Sequence, residues 1–159
     1  MRPIYYCKSW FRAKKKPTEL WSEEKAEAAH RNRQPYTALV GSTERPYCFV
    51  VVADKVIGVG FLDAQRRESL TYAFKAVEPG KLFLTMAVHR EFETGTDKVS
   101  TGVTYTFDQH GTVQIRRESF TPHQVETAIS SFDPAPGFAA CPAFGQYDDL
   151  IRIERQRIP

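Results

Sequence analysis

The sequence predicts an α+β fold: a curved antiparallel β-meander of about six to eight strands with one or two helices packed on one face. Residues 47–120 consist of strand-like segments, rich in aromatic and β-branched side chains, that are separated by short turns. These segments can be paired so that apolar side chains face one another, and a helical pattern follows them. The whole chain, residues 1–159, is expected to form one domain, because this length supports a single hydrophobic core.

The chain ahead of the meander is expected to contribute two strands and one helix. Residues 4–11 are rich in aromatic side chains and predict a strand. Ser22 is a typical N-cap, and the two glutamates after it lie where the helix dipole favours carboxylates. A helix is therefore expected over residues 23–32, with a thin apolar face made of alanines. Residues 36–40 predict a further short strand.

Two hairpins open the meander. Their strands are expected at residues 47–53, 56–62, 70–77 and 81–92. Asp54-Lys55 is a two-residue hairpin loop. In Glu78-Pro79-Gly80, proline presets φ and glycine accepts a positive φ, as a tight turn requires. Gly58 and Gly60 lie opposite bulky side chains in the first hairpin, which indicates that they make room for these neighbours or let the sheet coil, rather than bind phosphate.

Matching the apolar side chains predicts the register of the later strands. The predicted cross-strand pairs are Ala76–Leu82, Phe74–Leu84, Tyr72–Met86, Leu70–Val88, Val88–Val103, Met86–Tyr105, Leu84–Phe107, Phe107–Val113 and Tyr105–Ile115. A shift of the register by one residue would expose all of these apolar side chains to water, so we interpret the face of the sheet that carries them as the core face. The opposite face is expected to be polar and threonine-rich; it carries Thr71, Ala73, Lys75, Phe83, Thr85, Ala87, His89, Glu91, Thr104, Thr106, Gln114, Arg116 and Glu118.

A second helix is expected to cover the core face. Thr121-Pro122-His123-Gln124 has the form of a capping box with proline at the first helical position. The apolar side chains that follow at helical spacing are Val125, Ala128, Ile129 and Phe132. The helix is expected to end before Pro134. Residues 133–145 are too rich in proline and glycine for regular structure, and residues 150–155 predict a last strand.

Composition indicates a soluble cytoplasmic protein without a nucleic-acid or membrane specialisation. The formal net charge is only +3, and the three cysteines lie far apart without a Cys-x-x-Cys pair. This spacing predicts neither a disulfide framework nor a structural zinc site. No apolar run has the length of a membrane helix or the form of a signal peptide.

The sequence contains only fragments of a catalytic arrangement. His89 and Glu91 lie two residues apart on one strand and so share a face, as a general base and its carboxylate would. No nucleophile is predicted beside them, so a solvent-facing ion pair is favoured. Cys141 is the best candidate for a reactive thiol, but no adjacent base activates it. We therefore predict no enzyme activity, no catalytic residue, no metal site and no cofactor.

An interaction surface is the remaining prediction. We expect the protein to bind and occlude a protein partner, most concretely as an immunity protein that neutralises a cognate bacterial toxin. The candidate partner-binding residues are Phe138, Phe144, Arg66, Arg67, Arg116, His89 and Glu91. The alternative is a small-ligand-binding cup, either a lipocalin-like carrier or a small enzyme. RNA binding is a third option, disfavoured because the aromatic side chains share the core face. The loop carrying the two phenylalanines fits equally well as a closure of the core.

Overall fold

The computed structural model describes residues 2–155, most of which belong to antiparallel β-structure. The strands are β1 (Ile4–Cys7), β2 (Trp10–Phe11), β3 (Lys16–Pro17), β4 (Leu20–Trp21), β5 (Tyr36–Val40), β6 (Cys48–Ala53), β7 (Val56–Leu62), β8 (Glu68–Glu78), β9 (Lys81–Phe92), β10 (Val99–Phe107), β11 (Thr112–Phe120), β12 (His123–Ser131) and β13 (Phe138–Ala140). The described part of the chain has one α-helix, α1 (Glu23–Arg31), and a short 3-10 turn, Ala135–Gly137. Met1 and residues 156–159 of the expected domain lie outside the described residues.

One sheet of eleven strands forms the body of the protein. Its order is β12-β11-β10-β9-β8-β7-β6-β5-β1-β4, with β13 paired to β9 beside this path, and β2 and β3 form a separate hairpin. The expected antiparallel meander is therefore present, but the sheet is larger than the six to eight strands predicted. Within residues 2–155 only one α-helix accompanies it, and that helix is too short and too polar to span a membrane.

The helix forms where the sequence predicts it. The Ser22 hydroxyl accepts a hydrogen bond from the Lys25 N–H at 3.1 Å, which satisfies one of the free donors of the first turn. Only Ala26 is buried, so the helix packs shallowly against β1 and β5. The long polar side chains on its other positions remain in water.

The predicted register holds in part. The β6–β7 and β10–β11 pairs are as expected, and Phe74 faces Leu84. Between Ala73 and Phe74 the β8–β9 register then shifts by one residue, so that Tyr72 faces Ala87 instead of Met86. Such a bulge reverses the alternation of side chains along the rest of a strand.

The predicted pairing of β9 with β10 is wrong by one residue for the same reason. Val103 faces His89 rather than Val88, and Met86 faces Thr106 rather than Tyr105. Met86 and Val88 therefore leave the predicted core face. The sequence did not reveal the shift because β9 is apolar on both sides, from Leu82 to Val88, and its pattern is compatible with either alternation.

The second predicted helix and the predicted last strand are wrong. His123–Ser131 is the edge strand β12, joined to β11 through Thr121-Pro122. Val125 and Ile129 lie four residues apart, a separation that suits one face of a helix and one face of a strand equally. Residues 150–155, expected as a strand, form turns.

Residues 132–155, which follow β12 and which we call the covering segment, cover the core together with α1. No second helix among the described residues takes part. Phe132 packs on Phe107 with 5.0 Å between ring centroids, and Tyr147 and Leu150 are fully buried. β13 pairs with β9 over Lys81–Phe83, beyond the part of β9 that pairs with β10. The covering segment thus completes both the sheet and the core.

Arg155 anchors the covering segment. Its side chain is only 1% exposed, and its guanidinium donates a hydrogen bond to the Phe138 carbonyl at 2.8 Å and lies 5.3 Å above the Phe74 ring. It also pairs with Asp149, and its backbone N–H donates to the Tyr72 hydroxyl at 3.1 Å. A single buried cation therefore connects the covering segment to the sheet.

Candidate partner-binding face

The sheet face opposite the core is the candidate functional surface, and we call it the outer face. One row of paired residues crosses it from β6 to β12: Val51, Gly58, Ala73, Met86, Thr106, Gln114 and Ile129. The next row consists of Phe49, Gly60, Thr71, Val88, Thr104, Arg116 and Thr127. The bulge in β9 creates this surface, because it turns Met86 and Val88 out of the core and into these rows.

The β2–β3 hairpin covers one end of the outer face. Trp10 is buried and stacks on Phe49 with 6.0 Å between ring centroids. The Phe49 ring in turn lies over Gly60, where a Cβ atom would come within 2.3 Å of it. Gly60 therefore makes room for a bulky neighbour, as predicted. Gly58 does not, since the nearest atom to its Cβ position is 3.9 Å away.

The rest of the outer face is open and carries exposed apolar side chains. In β10, β11 and β12 only Phe107 and Val113 are buried. Among the described residues, most of the exposed large apolar side chains lie on this face; they are Tyr5, Val51, Val56, Met86, Phe120, Val125 and Ile129. Ile129 is 74% exposed. Phe120, Val125 and Ile129 lie on the neighbouring strands β11 and β12, and exposed apolar side chains that lie close together are typical of interaction surfaces.

Charged side chains accompany the apolar ones. Arg116, a predicted partner-binding residue, pairs with Glu118 at 3.1 Å, and His123 Nε2 lies 2.8 Å from the same carboxylate. The hydrogen bond with His123 is the main cause that lowers the pKa of Glu118. The outer face therefore combines apolar contacts with a fixed carboxylate and with guanidinium and imidazole groups.

The structure separates His89 and Glu91 from Arg116. The bulge places both residues on the inner face of the sheet, His89 in the same row as Leu70 and Val103. The His89 ring is solvent-exposed but meets Tyr105 edge-on at 5.7 Å, and partial burial lowers its pKa. These two predicted residues consequently cannot share one flat contact surface with Arg116.

Arg66 and Arg67 lie in the β7–β8 loop and are held by internal contacts. Arg67 pairs with Asp63 at 2.9 Å and covers the Phe92 ring at 4.5 Å. Burial opposes ionisation of Asp63, but hydrogen bonds from the Arg67 backbone and side chain outweigh it and lower the pKa of this carboxyl. Arg66 donates to the Lys15 carbonyl at 3.1 Å. Both arginines therefore brace the β7–β8 loop against its neighbours.

Phe138 and Phe144 are half-buried and close the core. The Phe138 ring packs on Phe83 at 4.8 Å, and the Phe144 ring stacks on Tyr6 at 4.9 Å. Each ring keeps part of its surface in water, and the Lys81 ammonium lies 4.5 Å from the Phe138 ring centroid. Their packing supports the interpretation of this loop as a closure of the core.

An open groove of about 740 Å³ lies beside the end of α1, between the β6–β7 and β8–β9 turns. His30, Tyr36 and the exposed Cys141 line it. His30 Nδ1 lies 2.8 Å from the Tyr36 hydroxyl, which lies 2.7 Å from the buried Tyr147 hydroxyl. Burial raises the pKa of Tyr36 to about 12, so this tyrosine is neutral at physiological pH.

The sequence did not predict two of these features, the exposed apolar side chains of β12 and the tyrosine network of the groove. Val125 and Ile129 were assigned to a helix that faces the core, so their exposure on the outer face was not expected. The tyrosines of the groove network lie 111 residues apart in the chain, and no local pattern signals their contact. Within residues 2–155, no three His, Cys, Asp or Glu side chains converge in a way that would hold a metal ion.

Comparisons with known proteins add no relative. No protein-family model matches the chain. No curated protein matches it, and no solved structure matches its fold.

Proposed function

We propose that this protein is a binding protein that occludes a protein partner with its outer face, most concretely an immunity protein that neutralises a bacterial toxin. The observation that carries the proposal is the open outer face, where Met86, Val125 and Ile129 are exposed between threonines and charged side chains. The three free cysteines of the chain support a reducing compartment such as the cytoplasm as the place of action.

The composition of the face favours a protein as the partner. Protein interfaces combine apolar contact area with a rim of charged and hydrogen-bonding groups, as this face does. Its threonines are stiff at χ1, so that ordering them on binding costs little side-chain entropy. Because the side chains project from a hydrogen-bonded sheet, they are also held in place before binding. Arg116 and Glu118 supply charges that favour one orientation of the partner.

The test uses two adjacent arginines on opposite faces of β11. Arg116→Glu reverses a charge on the outer face, and Arg117→Glu makes the same change on the inner face. Affinity capture from the native source should retain a protein partner with wild type and with Arg117→Glu, and lose it about tenfold with Arg116→Glu or with Met86→Lys. Equal effects of the two arginine variants would exclude the outer face as the binding surface.

The toxin hypothesis is tested with the captured partner. Expressed alone, the partner should arrest bacterial growth, and co-expression of the wild-type protein or Arg117→Glu should restore it, whereas Arg116→Glu should restore it poorly. Capture of no protein, together with a small molecule that raises the melting temperature, would contradict the proposal.

The groove at the end of α1 supports a second candidate function, binding of a small ligand. It offers an imidazole, held by the buried Tyr36 hydroxyl, and an exposed thiol next to apolar walls, which is a mixture found in many ligand sites. A ligand bound there should raise the melting temperature of wild type and not of His30→Ala. It should also slow alkylation of Cys141, whereas the buried Cys7 and Cys48 remain unreactive. Ligands that stabilise both proteins equally and leave Cys141 alkylation unchanged would contradict this function.

A further inference from the structure

The edge of the sheet at β12 is the second unusual surface of the molecule. The Phe132 N–H donates to the Gly111 carbonyl at 2.9 Å, which shows which residues turn their backbone groups toward β11. Because these groups alternate along a strand, the even-numbered residues of β12 bond to β11. The odd-numbered residues, from His123 to Ser131, therefore present their N–H and C=O groups at an edge that no other strand of residues 2–155 pairs with.

This edge lacks the usual protection against strand pairing. Natural edge strands are short, bulged, or interrupted by lysine or proline. β12 has nine residues, or about 30 Å of edge, and pairs with β11 without a register shift. It contains neither lysine nor proline, and Glu126 is its only carboxylate. The opposite edge strand, β4, has only two residues and so offers almost no backbone groups with which another strand could pair.

We propose that β12 pairs antiparallel with β12 of a second copy of this chain, around a two-fold axis that passes through Thr127. In this register Val125 faces Ile129 of the second copy, Glu126 faces Ala128, and Thr127 faces Thr127. Every odd-numbered residue meets an odd-numbered residue, so all free backbone groups of the two edges can bond. The two sheets then form one continuous sheet.

The sequence of β12 selects this register over its neighbours. A shift by two residues in one direction sets Glu126 against Glu126, which is unfavourable for like charges directly opposite one another. A shift by two in the other direction sets Val125 against Ser131 and shortens the paired region. A shift by one residue would bring odd-numbered residues against even-numbered ones, whose N–H groups are already bonded to β11. The two-fold register at Thr127 avoids all three defects.

The pairing is large enough to hold a dimer. Five pairs of edge-facing residues supply about ten backbone hydrogen bonds, the number found in a typical protein–protein interface. The contact between Val125 and Ile129 occurs twice and shields two of the exposed apolar side chains of the outer face. A two-fold axis also closes the assembly, so that the free edges are used up and no filament grows.

Cross-linking tests the axis directly. In the proposed dimer the two Thr127 Cα atoms are about 5.5 Å apart, within the range that a disulfide spans. In a Cys141→Ser background, Thr127→Cys should form a covalent dimer under mild oxidation. Thr106→Cys is the matched control, an exposed threonine on the same face but two strands inward, and it should remain monomeric. Equal cross-linking of both variants would overturn the proposed register.

Charge reversal on the axis provides a second test that needs no disulfide. Thr127→Lys and Thr127→Glu each set like charges against each other in the homodimer, and each should weaken self-association about tenfold in sedimentation experiments. A mixture of the two variants should recover a heterodimer, while circular dichroism shows that both remain folded. A wild type that sediments as a monomer over a wide concentration range would overturn the proposal, as would a mixture that stays monomeric. Partner capture is read separately with Met86→Lys, because Met86 lies on β9, three strands inward from β12.

Discussion

Adding one methyl group at Gly60 should destabilise the protein much more than adding it at Gly58. A Cβ atom on Gly60 would lie 2.3 and 2.6 Å from two ring atoms of Phe49, far inside van der Waals contact. Trp10 stacks on that ring, and both side chains are buried, so Phe49 has little freedom to move away. Overpacking of this kind costs about 1–3 kcal/mol of unfolding free energy.

Gly58→Ala is the matched control. It lies on the same strand and the same face, but the nearest atom to its Cβ is 3.9 Å away, an ordinary contact. Without a clash, replacing glycine stabilises a strand slightly, because it reduces the conformational freedom of the unfolded chain. We expect Gly58→Ala to change the unfolding free energy by less than about 1 kcal/mol, in the stabilising direction.

Thermal and urea unfolding followed by circular dichroism measure the difference. For a domain of this size, 1 kcal/mol corresponds to about 2–4 °C, so Gly60→Ala should lower the melting temperature by about 2–12 °C. In a Phe49→Leu background most of the penalty at position 60 should disappear, because the ring atoms that clash are gone and only the end of the Glu68 side chain, 2.9 Å away, must shift. Equal effects of the two glycine variants, or an undiminished Gly60→Ala penalty in the Phe49→Leu background, would refute the explanation.

Two further predictions concern the covering segment and the inner face. Arg155→Met keeps the volume of the buried side chain but removes its bond to the Phe138 carbonyl, and it should cost about 1–3 kcal/mol in urea unfolding. Arg152→Met removes an exposed partner of the same Asp149 and should cost less than about 0.5 kcal/mol; comparable losses would contradict the anchoring role. Burial lowers the pKa of His89 in the folded protein, so that on acidification this histidine takes up a proton more readily in the unfolded state. The free energy of unfolding should therefore fall as the pH drops below about 6.5. His89→Gln should weaken this fall in melting temperature between pH 7 and pH 5, and an unchanged pH profile would contradict the contribution of His89.

Local features of the fold were predictable because short-range chemistry determines them. Ser22 marks the start of the helix, and turn residues such as Pro79-Gly80 mark the ends of strands, as the structure confirms. The register of β6–β7 and of β10–β11 also followed from the sequence, since a short loop leaves little choice of pairing. Where a close turn and an alternating pattern agree, the local sequence suffices.

The composition of the outer face was only partly predictable. Arg116, Thr106 and Gln114 were expected on the polar face and lie there. Met86 was expected in the core, and Ile129 on a helix that covers it. Both reach the outer face through choices that local sequence leaves open: the bulge in β9 and the strand conformation of β12. Predicted and observed surfaces therefore share their polar residues and differ in their apolar ones.

The sequence by itself determined that the chain forms an antiparallel meander and where most of its strands and its helix lie. Only the tertiary structure decided which side chains of β9 face the core, because a strand that is apolar on both faces tolerates a bulge wherever packing requires one. It also decided that residues 132–155, anchored by Arg155, cover the core in place of a second helix. That choice depends on contacts between residues far apart in the chain. Within residues 2–155 it leaves β12 as an edge strand and most of the outer face uncovered.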